Sequence, residues 1–265
     1  MPVVTANING RPARLILDTG SDVTVLNRAA ASRLGIAYDE RTTVPLGGAG
    51  GQGRAFSALL PSLGLGGATT GSVRAIVTNV PLPPLDGVVG INVLVGYEMD
   101  IDLPHRRLAL YRARPCPAAL PPWTAPYTRL PVQQQRSGHL YVSAALDGQP
   151  IFALLDTGAT LTTVAPGPAR DAGVTDAALR RAPTFRSQAF NEGGLGGRVQ
   201  RFASLTIGAD TVTNPALHVA DLPPYAGEAI IGEDYLGTRR LWVSMLLGTV
   251  FATTNDQPGG QPRPR

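Results

Sequence analysis

The chain has 265 residues, 43% of them hydrophobic, and a formal net charge of +4, which is long enough for two domains with separate cores. No apolar run reaches the roughly 18 residues that a membrane-spanning helix needs, so no membrane span is expected. All 23 basic residues are arginine, which excludes a P-loop, and the short arginine pairs at 106–107, 180–181 and 239–240 form no basic stripe, so no nucleic-acid partner is expected.

The richness in Arg, Ala, Gly and Pro fits a GC-rich, bacterial genome. A single cysteine, Cys116, cannot form an internal disulfide, and with His105, His139 and His218 scattered there is no metal-ligand spacing. With 31 Gly and 24 Pro punctuating short runs of Val, Ile, Leu and Thr, the composition points to an all-β fold of short strands and tight turns. A strand pattern begins within the first few residues, so no signal peptide is visible. The address is read as cytoplasmic, or as periplasmic or secreted if a leader was removed.

Taken in order, the first element is a hairpin turning at Asn9-Gly10, the strongest short-range signal for such a turn. Its second strand ends in Asp18-Thr19-Gly20. Asn27 then reads as the N-cap of a short helix, R-A-A-A-S-R-L, closed by Gly35 as its C′ residue. A glycine-rich segment follows, G-G-A-G-G-Q-G over 47–53. Gly48, Gly50 and Gly53 match G-x-G-x-x-G, yet no long helix follows and Pro61 intervenes, so a dinucleotide site is disfavoured. V-V-G-I-N-V-L over 88–94 comes next, and prolines crowd 114–126, where they favour an extended connection.

Beyond that connection the chain repeats itself. Residues 3–36 match 141–174 at an offset of 138, so that Gly10, Asp18, Thr19, Gly20 and Gly35 fall on Gly148, Asp156, Thr157, Gly158 and Gly173. Further on the offset becomes 142, and Val88-Val89-Gly90 falls on Ile230-Ile231-Gly232. A second glycine-rich segment occupies 192–197. The expected organisation is an N-terminal lobe over 1–113, a Pro-rich linker over 114–129, a C-terminal lobe over 130–254 and a disordered tail over 255–265.

A lone D-T-G is weak, because Asp and Gly are common turn residues. Two copies at matching places in a tandem repeat, each followed more than seventy residues later by two aliphatics and a glycine, are far more specific. This combination resembles the retroviral-like aspartic peptidases, including bacterial members with two fused lobes, over nearly the whole chain except linker and tail. The resemblance implies two homologous retropepsin-like β-barrel lobes related by a pseudo-two-fold axis, with short helices, and an aspartic endopeptidase that needs no metal or organic cofactor. It implies that Asp18 and Asp156 are the catalytic pair, assembled within one monomer, and that Thr19 and Thr157 brace the two loops while Gly20 and Gly158 allow a tight backbone. It also implies that the glycine-rich segments, with Gly50, Gly51 and Gly194, are flaps over a bound protein or peptide substrate. Asp22 matches a position that binds substrate backbone, where the second lobe has Thr160 instead. Val25, Val88 and Ile230 match positions that line pockets beside the scissile bond, so apolar substrate residues are expected there. Ser21 matches a serine whose hydroxyl supports the dyad, and a bond from it to Asp18 would make Asp18 the ionised member and Asp156 the protonated one. The rival reading is a peptide-binding module that keeps the cleft but does not cut, which two intact D-T-G triplets disfavour. A serine hydrolase is disfavoured by the lack of G-x-S-x-G.

Overall fold

The computed structural model of the protein describes residues 1–48, 51–112, 120–187 and 194–253. Asn9-Gly10 and Asp147-Gly148 turn their hairpins with positive φ at both residues, 51° and 76° in the first and 49° and 81° in the second. That backbone twist matches the twist of the flanking strands, and Asn, Asp and Gly are the residues that tolerate it. In the first hairpin, Val3–Ile8 pairs antiparallel with Arg11–Leu17, and in the second, Leu140–Leu146 pairs with Gln149–Leu155.

Side chains alternate along these strands. Ala13, Leu15 and Leu17 enter the main core with Ala6 and Ile8, whereas Ile16 points to the opposite face and joins a smaller cluster with Val25, Ala55, Ile76 and Val88. The helix Arg28–Leu34 starts as expected: the Asn27 side chain accepts a bond from the Ala30 N–H at 2.8 Å, and Gly35 ends the helix at φ 70°. In the second repeat the matching helix is Pro166–Asp171, which opens on proline without a side-chain cap.

Each repeat builds one curled sheet. In the first, Arg11–Leu17 pairs parallel with Gly87–Val89, which pairs antiparallel with Thr24–Asn27, which in turn pairs parallel with Val73–Thr78. The second repeat reproduces this order with Gln149–Leu155, Ala229–Ile231, Thr163–Val164 and Ala216–Val219. The fold is therefore all-β with two homologous lobes, as the duplication requires.

A third, five-stranded sheet joins the lobes. Tyr97–Asp102 from the end of the first repeat pairs with Arg240–Ser244 from the end of the second, so each repeat lends its last strands to a shared structure. Polar pairs stand across that register: the half-exposed Arg240 donates to both carboxylate oxygens of Asp100, at 2.8 and 2.6 Å, and the buried Ser244 hydroxyl donates to Glu98 at 2.8 Å. Tyr127–Arg129, at the end of the segment expected to be linker, is a strand of the same sheet and pairs with Thr249–Thr253. Among the described residues no helix is long and apolar enough to cross a membrane.

Candidate active site

The site grows from the ends of the two equivalent strands, Arg11–Leu17 and Gln149–Leu155. Asp18 follows the first and donates its backbone N–H to the Val89 carbonyl at 3.0 Å, and Asp156 does the same to Ile231 at 3.1 Å. The aliphatic-aliphatic-Gly segments thus pass behind the two loops. Gly90 and Gly232 are required there, because a Cβ would lie 2.6 Å from the Val23 carbonyl carbon in one lobe and 2.7 Å from that of Leu161 in the other. Each loop is also held by a side chain that sequence reasoning missed. Asn92 accepts from the Thr24 N–H at 2.9 Å, and Asp234 accepts from the Thr162 N–H at 2.9 and 2.8 Å. The signal was available, since Asn92 and Asp234 are related by the same offset as the glycines before them.

Across the lobe boundary the two threonines exchange bonds. The Thr19 hydroxyl accepts from the Thr157 N–H at 3.1 Å and donates to the Leu155 carbonyl at 2.7 Å. The Thr157 hydroxyl accepts from the Thr19 N–H at 3.1 Å and donates to Leu17 at 2.6 Å. Both threonines are buried, where a satisfied polar network fixes geometry more firmly than it would in water. The loops are held so closely that the Asp18 and Asp156 carboxyl groups are in hydrogen-bond contact with each other. A Cβ on Gly20 would sit 2.5 Å from Asp156 Oδ2 and one on Gly158 2.5 Å from Asp18 Oδ2, so each glycine makes room for the opposite carboxylate.

Burial, then the charge of Asp156, hold Asp18 well above the usual carboxylate range, against backbone N–H groups of Gly20 and Ser21 that favour its charged form. Burial also raises Asp156, but less, because the Gly158 and Ala159 N–H groups donate to its Oδ1 at 2.7 and 3.1 Å and Asp18 donates to it as well. Like charges in contact cannot both be present, so the pair shares one proton. The bond expected from Ser21 to Asp18 is not formed: the Ser21 hydroxyl donates to the Val23 carbonyl at 2.9 Å and is spent inside its own turn. Ser21→Ala should accordingly leave the acidic limb of the activity profile in place. A limb displaced upward in pH–rate measurements would restore the hydroxyl to the dyad.

The aspartyl protease family model matches residues 4–98, and the gag-polyprotein putative aspartyl protease model matches residues 142–238. The chain belongs to the retropepsin-like aspartic peptidases. Two such domains in tandem make it the two-lobed form, and its function is that of an aspartic protease in the general sense. Among solved structures, a retropepsin-like aspartic protease from Rickettsia conorii aligns at 16% identity with a TM-score of 0.37, over 51% of this chain and 97% of that one. No curated protein matches the chain.

In this retropepsin-like chain the remaining predicted residues fall into distinct places. Val25, Val88 and Ile230 are buried in the strands beside the dyad. Asp22 is exposed at the mouth of its loop. The first glycine-rich segment is a hairpin, Tyr38–Gly48 against Gly51–Leu60, closing with Gly48 opposite Gly51, and the second pairs Thr184–Ser187 with Leu195–Arg201. Gly51 and Gly194 both carry positive φ, 105° and 61°; Gly50 lies outside the described residues.

His139 was not singled out by the sequence, and the fold brings it to the dyad. It is 2% exposed. Its Nε2 lies 3.1 Å from the Gly20 carbonyl and 3.5 Å from Asp22 Oδ1 of the other lobe, and its Nδ1 is 3.0 Å from the Ser137 hydroxyl. The ring stacks on Tyr225, with centroids 6.0 Å apart. These partners assign the proton to Nε2, which donates to Gly20. Replacing His139 by Phe keeps the ring but removes the donor to Gly20, so turnover should fall about tenfold. Equal turnover by wild type and His139→Phe would show the histidine to be packing alone.

Proposed function

We propose that the protein is an endopeptidase in which Asp18 and Asp156 activate a water against the peptide carbonyl. The observation that carries this reading is the contact of two buried carboxyl groups, each at the end of a D-T-G loop and each loop locked to the other by Thr19 and Thr157. The charged member of the pair takes a proton from the water as its oxygen attacks the carbonyl carbon, and the protonated member gives its proton to the carbonyl oxygen. The tetrahedral intermediate then collapses: the carboxyl that took the water's proton passes it to the amine as the C–N bond breaks, and the other carboxylate takes back the hydroxyl proton. Both aspartates come from one chain, so the monomer suffices, whereas a one-lobed relative must dimerise to bring two such loops together.

The substrate lies extended between the lobes and the two hairpins. Asp22 holds its backbone from one side, and Gly51 and Gly194, both at positive φ, let the two hairpins approach it closely. The buried Val25, Val88 and Ile230 favour apolar side chains beside the scissile bond. The domain limits follow the same reading, with lobes over 1–113 and 130–254 whose last strands share the joining sheet.

Digestion of a mixed peptide library with and without a statine-type transition-state mimic tests the proposal. Defined cuts that the mimic suppresses are the expected result. Tight peptide binding with no cuts would assign the cleft to recognition without hydrolysis.

A further inference from the structure

The joining sheet is unequal at its two edges. At the end of the first repeat Tyr97–Asp102 pairs antiparallel with Arg107–Arg112, and at the offset of 142 Arg240–Ser244 and Thr249–Thr253 repeat that hairpin. The two hairpins meet through their first strands, so Arg107–Arg112 and Thr249–Thr253 are left outermost and are equivalent. The second of them is covered. Tyr127, Thr128 and Arg129 pair with Thr253, Ala252 and Phe251, and the Leu130 N–H donates to the Val250 carbonyl at 2.9 Å. The first has no such neighbour among the described residues.

Burial follows the cover. Val250 and Ala252 are 1% and 2% exposed, whereas their counterparts Leu108 and Leu110 are only half-buried, although both pack against the main core. Tyr111 stacks on Trp242 with centroids 5.4 Å apart and is still 46% exposed. In the second hairpin the added strand brings the Tyr127 ring edge-on to Phe251 at 5.7 Å. The first hairpin therefore keeps an open row of backbone N–H and C=O groups beside partly exposed apolar side chains, which is the form of a site for one more strand.

Charge decides what fits it. Arg107 and Arg112 end the strand and Arg106 precedes it, all three exposed, where the covered hairpin has Gly248 and Thr249 in place of Arg106 and Arg107. The acids of the neighbouring strand are engaged elsewhere: Asp100 by Arg240, Asp102 by His105 at 2.8 Å and Glu98 by Ser244. The three arginines have no ion-pair partner among the described residues. A second copy of this edge, paired antiparallel, would bring the arginines of both strands together, and like charges across a ladder are destabilising.

We propose that the outer edge of Arg107–Arg112 is a docking site for an extended acidic segment of a partner protein, added antiparallel as a further strand, with apolar side chains opposite Leu108 and Leu110 and acidic ones opposite Arg107 and Arg112. Tyr127–Arg129 on the equivalent edge is the template for its direction and register. Backbone bonds supply the affinity, and the flanking charges choose the partner. The site uses no residue of the cleft.

A probe built on that template tests the proposal. The labelled peptide Glu-Glu-Tyr-Thr-Val-Leu-Glu-Glu keeps the Tyr-Thr-x-Leu run of 127–130 between acidic flanks, and Lys-Lys-Tyr-Thr-Val-Leu-Lys-Lys is its charge-reversed control. In fluorescence anisotropy with the full chain, the acidic peptide should bind about tenfold or more tightly than the control, and the double variant Arg107→Glu, Arg112→Glu should invert that preference. Bound acidic peptide should slow hydrogen exchange across 107–112. Both substitutions are at exposed positions, and a thermal melt checks that the variant is folded. A statine-type mimic should leave binding unchanged, which separates this edge from the cleft and from turnover. Equal affinity for the two peptides, no binding of either, an unaltered preference in the double variant or displacement by the mimic would each overturn the proposal. So would protection of 107–112 that appears without peptide as wild type dimerises, which would give the edge to a second copy.

Discussion

Asp18→Asn and Asp156→Asn should each lower kcat/KM by about 10³-fold or more, and the double replacement should cost little beyond either single one. Groups that act on one water as acid and base form a unit, and removing either leaves only binding and orientation. Stability should move the other way. Both carboxyl groups are raised by burial, Asp18 well above its ordinary 3.8. A carboxyl raised in the folded state contributes fully below its unfolded value and loses that contribution as pH rises through its folded value. With one proton between them the pair carries one buried charge at neutral pH, and a single Asn variant keeps one carboxyl to carry it, so only the double replacement removes that charge. The double Asn variant should melt above wild type at pH 7, and the difference should shrink as pH falls towards 4. Thermal melts across that range, paired with kinetics on a peptide cut by wild type, check both halves. Residual cleavage within tenfold of wild type, suppressed by a statine-type mimic, would remove the aspartate from its assigned role. A double Asn variant that melts below wild type at pH 7 would show that the carboxylates hold the loops rather than straining them.

The parts of this arrangement that sequence made legible are those written as local rules or as repeats. Asn9-Gly10 and Asp147-Gly148 dictate their turns through backbone torsion alone, and Asn27 caps its helix through a contact three residues away. The duplication then made every later position checkable against its partner, which is how Asp18 and Asp156 could be paired before any distance was known. What stayed hidden depends on contacts between remote strands. His139 lies 119 residues from the Gly20 carbonyl it bonds, and nothing in the run Ser137-Gly138-His139 announces that. The joining sheet was hidden for the same reason, since Asp100 meets Arg240 only once both repeats have folded. The error over Ser21 has a different source. A serine after Asp-Thr-Gly can serve the carboxylate or its own turn, and the 2.9 Å bond to Val23 is a local outcome that residue type cannot decide.

Gly20→Ala and Gly158→Ala should each lower turnover about 10²-fold or more without unfolding the chain. The argument concerns volume rather than torsion. A methyl group on Gly20 would stand 2.5 and 2.7 Å from the two carboxylate oxygens of Asp156, and one on Gly158 2.5 and 2.6 Å from those of Asp18. Such contacts are shorter than non-bonded atoms tolerate, so a carboxylate or a loop has to move. The loops have little freedom, because Thr19 and Thr157 bind each other from both sides and Gly90 and Gly232 press on them from behind. The carboxylate opposite the new methyl group therefore gives way and the dyad opens. A displacement of about 1 Å between groups that must share one proton and one water costs about 10²-fold in rate, while overpacking at a single methyl costs about 1–3 kcal/mol in stability. Gly148→Ala is the matched control, since its φ of 81° makes the substitution strained while no atom lies within 4 Å of the added Cβ. It should lose stability of the same order, about 1 kcal/mol, and keep its kcat. Circular dichroism melts together with kcat and KM for the three variants separate the two effects. If Gly20→Ala and Gly158→Ala turn over as fast as Gly148→Ala, the carboxylates can part without consequence, and close contact between Asp18 and Asp156 is not what the reaction requires.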